Sequence, residues 1–287
     1  MMSNHYIMYQ KRPGQWKRIL LFSGLAVLLL TAFGCDDDEV SDIDDRRWEL
    51  AWSDEFDGTA GELPNSANWQ FDIGTDWGNN QLEYDTDRAE NVSTDGNGNL
   101  AIIARRENFA GSAFTSGRIT TKGLFDQAYG RFEARIKLPY GPGIWPAFWL
   151  LGSDIDVVDW PQCGEIDILE LRGQEPHIIH GSVHGPGYSA GEALTKSFAL
   201  MNDRFDKDFH LFAIEWGENY IDYFVDGQPY FRVTPDDVPG EWVYDHPFHI
   251  ILNVAVGGDY VGFPTSETNF PQTMLVDYVR VYRAVDN

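Results

Sequence analysis

The chain has 287 residues, 43% of them apolar and 14% aromatic, enough to bury the core of one large domain, which excludes a disordered chain. Its 45 acidic against 21 basic side chains leave a formal net charge of −24, which excludes nucleic acid and anionic membrane as partners and suits a neutral ligand better than a sulfated one. The aromatic residues (Trp 10, Tyr 13, Phe 18) exceed the needs of a core and supply flat apolar faces of the kind that sugar rings stack on.

In chain order, residues 1–34 carry Lys11, Arg12, Lys17 and Arg18 and no acid, and an apolar run from Ile19 to Phe33 follows. That run is shorter than the roughly 20 residues of a membrane span, and the segment reads as a signal peptide. It ends at Thr31-Ala32-Phe33-Gly34-Cys35, which resembles a bacterial lipobox and predicts Cys35 as the lipidated N-terminus. Residues 35–47 then form an acidic tether (DDDEVSDIDDRR after the cysteine), and 48–284 the folded domain. An acidic run in that place resembles the surface-export signal of some Gram-negative lipoproteins. The expectation is an exported monomer at the outer membrane or cell surface, touching membrane only through its lipid, or else secreted. With Cys35 so used, Cys163 has no partner and no disulfide framework is expected.

From Trp48 onward the signals are strands and turns. Leu100–Arg105, Gly130–Lys137, Phe209–Trp216, Tyr220–Val225 and Val276–Tyr282 are short, β-branched or aromatic, and several alternate with period two. Asp95–Gly98, Pro139–Gly143 and Gly257-Gly258 punctuate them, and Asp226-Gly227 predicts a two-residue hairpin. No three-turn amphipathic helix and no repeat is visible. The pattern predicts an all-β fold, a jelly-roll sandwich of two antiparallel sheets. Two long segments, Asn65–Arg88 and Leu151–Gln162, are rich in Trp, Asp, Asn and Gly and are expected as loops rimming a cleft.

The densest chemistry lies in Gly164-Glu-Ile-Asp-Ile-Leu-Glu-Leu171. On a regular strand Glu165 and Asp167 share a face and Glu170 points to the other, where it would be buried without a partner. A β-bulge near Ile168-Leu169 restores the parity and puts all three acids on one face. Crowded carboxylates cannot all ionise, so one is expected to keep its proton. One ionised and one protonated carboxyl is what a retaining glycosidase needs. A solvated acidic face or an oxygen-ligated calcium cradle also accommodates the spacing. A nucleophilic Cys163 is disfavoured by the negative field beside it.

The motifs Trp52-Ser-Asp-Glu-Phe56, Trp77-Gly-Asn-Asn-Gln-Leu-Glu-Tyr84, Ser116-Gly-Arg-Ile119, Gly143-Ile-Trp-Pro-Ala-Phe-Trp149, Gly164–Glu170, His184-Gly-Pro-Gly-Tyr188 and Asn253–Gly258 come in this order. Together they resemble glycoside hydrolase family 16, specifically its laminarinase-like endo-β-1,3-glucanases, from about Trp48 to Arg283. The Glu-x-Asp-x-x-Glu form is similar to the family's bulged branch. The resemblance implies a concave-face cleft, Glu165 as nucleophile, Glu170 as acid/base and Asp167 as assisting residue. It further implies Asn80, Arg118, Trp145, Trp149 and His184 as subsite residues. It requires no cofactor for catalysis, and it points to a structural Ca²⁺ held by Glu55 and Asp277. The expected substrate is a neutral β-glucan. The rivals are a mixed-linkage β-1,3-1,4-glucanase, a galactan hydrolase, a non-catalytic surface glycan-binding protein and a calcium-dependent adhesion module. Three competing carboxylates argue against a protein that only binds.

Overall fold

The computed structural model describes residues 46–285. The expected signal peptide, Cys35 and the tether up to residue 45 lie outside these. Arg46 and Arg47, read from sequence as the end of the tether, belong to the domain. Arg47 opens the first strand, and the Arg46 guanidinium meets Glu215 at 2.7 Å and Asp222 at 3.3 Å.

The described chain forms strands β1 (Arg47–Asp54), β2 (Gln70–Phe71), β3 (Glu83–Asp85), β4 (Val92–Thr94), β5 (Leu100–Phe109), β6 (Ser112–Ser116), β7 (Arg118–Thr120), β8 (Gly130–Lys137) and β9 (Ile144–Gly152). β10 (Glu165–Leu171), β11 (Ile178–His184), β12 (Leu194–Ala199), β13 (His210–Gly217), β14 (Tyr220–Val225), β15 (Gln228–Val233), β16 (Phe248–Val256) and β17 (Gln272–Val285) follow, with one 3-10 turn at Ala190–Glu192. One sheet runs β15-β14-β13-β8-β17-β5-β6-β3, with β1 also on β17 and β4 on β5. The other runs β12-β11-β10-β9-β16-β7-β2. All pairings are antiparallel except β3 with β6. This is the predicted jelly-roll sandwich.

The hairpin at Asp226-Gly227 is present: both residues have left-handed φ (50° and 75°), and Val225 pairs with Gln228. Two positive φ angles in a two-residue loop match the right-handed twist of the flanking strands. The segment Asn65–Arg88 is not all loop, since β2 and β3 lie within it. Both are so short that period-two alternation has nothing to repeat over.

The core lies between the sheets. Phe148 and Leu150 of β9, Ile166, Leu169 and Leu171 of β10, and Leu252 and Val254 of β16 belong to one fully buried cluster with Phe132 and Ile136 of β8 and Phe212 and Ile214 of β13. Each such side chain stabilises by roughly 1.5–3 kcal/mol relative to exposure. Alternation then sends Trp145 and Trp149 of β9, His180 and His184 of β11 and Arg118 of β7 to the outer face of the seven-stranded sheet.

β10 carries the expected bulge. Asp167 pairs with Ser182 of β11 and Glu170 with His180, so three steps on β10 match two on β11. The same irregularity shows against β9, where Asp167 faces Trp149 and Glu170 faces Ala147. The extra residue restores parity, and Glu165, Asp167 and Glu170 share the outer face.

Gly164 immediately precedes this strand at φ 74°, and a Cβ there would stand 2.8 Å from the Phe248 ring and 3.1 Å from Val243. Substitution Gly164→Ala therefore combines left-handed strain with a core clash. It is expected to cost roughly 1–3 kcal/mol in a urea melt; an unchanged midpoint would contradict this placement.

Candidate active site

The three acids stand on β10, and each has a partner from a different segment. Trp160, from the loop that leads into β10, donates its indole N–H to Glu165 Oε2 at 2.8 Å. Trp145, on β9, donates to Glu170 Oε1 at 2.9 Å. His184, at the end of β11, places Nε2 2.9 Å from Asp167 Oδ2 and 3.8 Å from Glu165 Oε1. The backbone N–H of Ala190 donates to His184 Nδ1 at 3.1 Å, which puts the ring proton on Nε2, facing the acids.

Burial is the largest influence on all three carboxyls, and it raises each pKa. Asp167 is pushed up to about 7 by burial and then by the Glu165 charge, against the pull of His184. Glu170 is pushed up to about 8 by burial and Asp167, with His184, Trp145 and Arg172 opposing. Glu165 is also raised by burial, but His184 is the next influence and favours its charge. The Glu165 side chain keeps 19% of its exposure against 4% for Asp167, so water helps it to ionise. The hydrogen bond between Asp167 and Glu165 lowers Glu165 and raises Asp167, which makes Asp167 the protonated donor. Burial disfavours charge on His184, yet Asp167, Glu165 and Glu170 outweigh it and lift the ring to about 9. Becoming imidazolium would sacrifice the bond from Ala190; the Nε2 proton is present in either state. The arrangement favours the charge on Glu165 and the proton on Glu170.

Of the remaining expected subsite residues, Trp149 stands on β9 itself and Arg118 on β7, beyond β16. Arg118 of β7 is sandwiched between the Trp77 ring at 4.7 Å and the Trp149 ring at 4.9 Å, and its Nε donates to Asp72 at 2.9 Å. Trp149 is held by its indole N–H to Asn253 Oδ1 at 2.8 Å. Asn80 has left-handed φ, 55°, and donates to Asp259 at 3.0 and 3.1 Å. Sequence reasoning missed Trp160, His180 and Tyr260, and the acids behind Arg118, namely Asp72, Glu83 and Asp85. Glu83 and Asp85 are 1% and 2% exposed. Glu83 accepts the Val256 N–H and Asp85 the Trp77 indole. Burial lifts Glu83 to about 7 and raises Asp85, which also feels the Glu83 charge. Only Glu83-Tyr-Asp85, two acids with strand spacing, hinted at them.

Glu55 and Asp277 are each engaged by an arginine. Glu55 accepts two bonds from Arg280, at 2.9 and 2.7 Å, and Asp277 accepts one from Arg135 at 2.5 Å. Among the described residues, the one group of three or more acids and histidines with converging ligand atoms is Glu165, Asp167 and His184. Cys163 is fully buried, and burial with the nearby acids pushes its thiol up to about 11, which leaves it inert as a nucleophile.

A family model described as "Glycosyl hydrolases family 16" matches residues 73–280. A beta-glucanase of Rhodothermus marinus is 41% identical over 250 residues, which are 83% of this chain and 86% of that protein. Glucan endo-1,3-beta-glucosidase A1 of Niallia circulans is 32% identical over 263 residues, 82% of this chain and 38% of that longer protein. The crystal structure of the laminarinase catalytic domain from Thermotoga maritima MSB8 superposes with a TM-score of 0.79 at 45% identity, covering 83% of this chain and 99% of that domain.

Glu83 makes a stability prediction. In the unfolded chain it ionises near its ordinary 4.5, and in the fold near 7. Between those values the folded state binds more protons, so stability falls as pH rises. Thermal melts of Glu83→Gln and the parent between pH 4 and 8 should diverge in the variant's favour as pH rises. Parallel curves would contradict the buried acid.

Proposed function

The chain belongs to glycosyl hydrolases family 16, and on that premise we propose that it cleaves β-1,3-glucan of the laminarin type within the chain, with retention at the anomeric carbon. The observation that carries the reading is the bulged strand β10, which sets Glu165, Asp167 and Glu170 on one face with their protons unequally shared. A neutral glucan also suits the net charge of −24.

The ionised Glu165 carboxylate attacks the anomeric carbon while neutral Glu170 protonates the departing glycosidic oxygen. Glu170, now a carboxylate, takes a proton from water, and that water releases the sugar from Glu165. Asp167 donates to Glu165 and keeps the negative charge there, and the His184 Nε2 proton faces both. Trp160 and Trp145 fix one oxygen of each glutamate, so neither needs to reorganise in the transition state. Trp149 and Trp77, clamped about Arg118, offer aromatic and hydrogen-bonding surface for the glucan on the β7 side. We propose in addition that the enzyme is exported and lipid-anchored, a reading supported by the basic and apolar sequence of residues 1–34 and by Cys35, with the acidic segment as tether.

Reducing-sugar release from laminarin, lichenan, agarose and carboxymethylcellulose tests the reading. Laminarin should be cut fastest, and Glu165→Gln should lower the rate by roughly 10³-fold or more. Faster release from agarose or lichenan would move the substrate class. No release from any polymer, with laminarin still bound, would sink the enzyme reading.

A further inference from the structure

The acid/base glutamate depends on an indole that itself needs support. Trp145 is only partly buried on the outer face of β9, yet its N–H must stay on Glu170 at 2.9 Å. Its ring is backed by Tyr260, with centroids 4.9 Å apart and planes tilted by 43°. The Arg172 guanidinium lies 4.4 Å over the Tyr260 ring. His180, the cross-strand partner of Glu170, meets the same ring edge-on at 6.2 Å. Tyr260 thus touches groups from β9, β11 and the end of β10.

Tyr260 stands in the turn that leaves β16, and this turn is tied down on several sides. Gly257 N–H donates to Gly143 O at 2.7 Å, Asp259 N–H to Asn79 O at 2.8 Å, and Gln174 Nε2 to Val261 O at 3.1 Å. The Asp259 carboxylate also accepts from Asn80. Rigid on both flanks, the turn presents one aromatic face to Trp145.

We propose that Tyr260, capped by Arg172, is a positioning residue for the general acid: by bracing Trp145 it fixes the Glu170 carboxyl toward the leaving oxygen. The ring makes all three of these contacts, so phenylalanine in its place would keep them. This rests on the glucanase reading above, which makes Glu170 the proton donor. The consequence is selective. Laminarin expels a sugar alkoxide and needs the proton; 2,4-dinitrophenyl β-laminaribioside expels a phenolate stable enough to leave without it.

The test measures kcat and kcat/KM on both substrates for the parent enzyme, Tyr260→Ala, Tyr260→Phe and Arg172→Met. Y260A should lose roughly 10–100-fold in kcat on laminarin, within the range that general-acid catalysis supplies. Its kcat/KM on the aryl glycoside should stay within about threefold of the parent, as a misplaced acid is bypassed there. Y260F should match the parent on both. R172M, which leaves the ring in place, should follow the pattern of Y260A in weaker form and carries the test if Y260A does not fold. Equal losses on the two substrates, or an unchanged Y260A on laminarin, would overturn the proposal. A parent enzyme that cleaves neither substrate would overturn the glucanase reading itself, an outcome separate from these.

Discussion

Three carboxyls on one buried face, with a single imidazole to offset them, are the constraint on which the rest of the site depends. Glu165, Asp167 and Glu170 cannot all be charged there, because burial and mutual repulsion both oppose it. The protons that remain must be distributed, and the neighbours decide how. Glu165 has residual water, His184 and the Asp167 hydroxyl, and so carries the charge. Glu170 lies at the far end of the strand, where burial outweighs His184, Trp145 and Arg172, and so keeps its proton. Division of labour between two chemically identical side chains follows from position alone.

The other sheet shows what the same acids look like when they are structural. Glu133, Glu215 and Asp222 are equally buried on β8, β13 and β14. Arg131 bonds Glu133 and Glu215, Arg46 bonds Glu215 and Asp222, and Arg232 bonds Asp222 in parallel. Those carboxylates are each matched by a guanidinium group. The acids on β10 lack such partners, and that mismatch, rather than burial as such, separates a reactive cluster from a ladder of ion pairs.

Much of this was legible in the sequence, for reasons that can be named. Glu-x-Asp-x-x-Glu between isoleucines and leucines forces a choice between a bulge and a buried unpaired glutamate, and the penalty for the second selects the first. Gly130–Lys137 has its observed bounds because alternation runs its whole length, and Tyr220–Val225 because a β-branched and aromatic run is closed by the Asp226-Gly227 turn. What was not legible depends on contacts between distant segments. Tyr260 lies 115 residues beyond Trp145 in the chain yet stacks on it. Glu83 and Asp85 are placed by the parallel pairing of β3 with β6 and Asp72 by the pairing of β2 with β7, crossings with no local signature. That Arg280 bonds Glu55 and Arg135 bonds Asp277 had no local signature either.

The central claim is that Glu165, and not its neighbours, forms the bond to sugar. Incubation with 2,4-dinitrophenyl 2-deoxy-2-fluoro-β-laminaribioside, followed by peptide mass mapping, tests it most directly. The fluorine slows departure of the trapped sugar more than its arrival, so a covalent adduct should accumulate on Glu165 with one dinitrophenolate released per chain. An adduct on Glu170 or Asp167, or continued turnover through an inverted product with no adduct, would contradict the account.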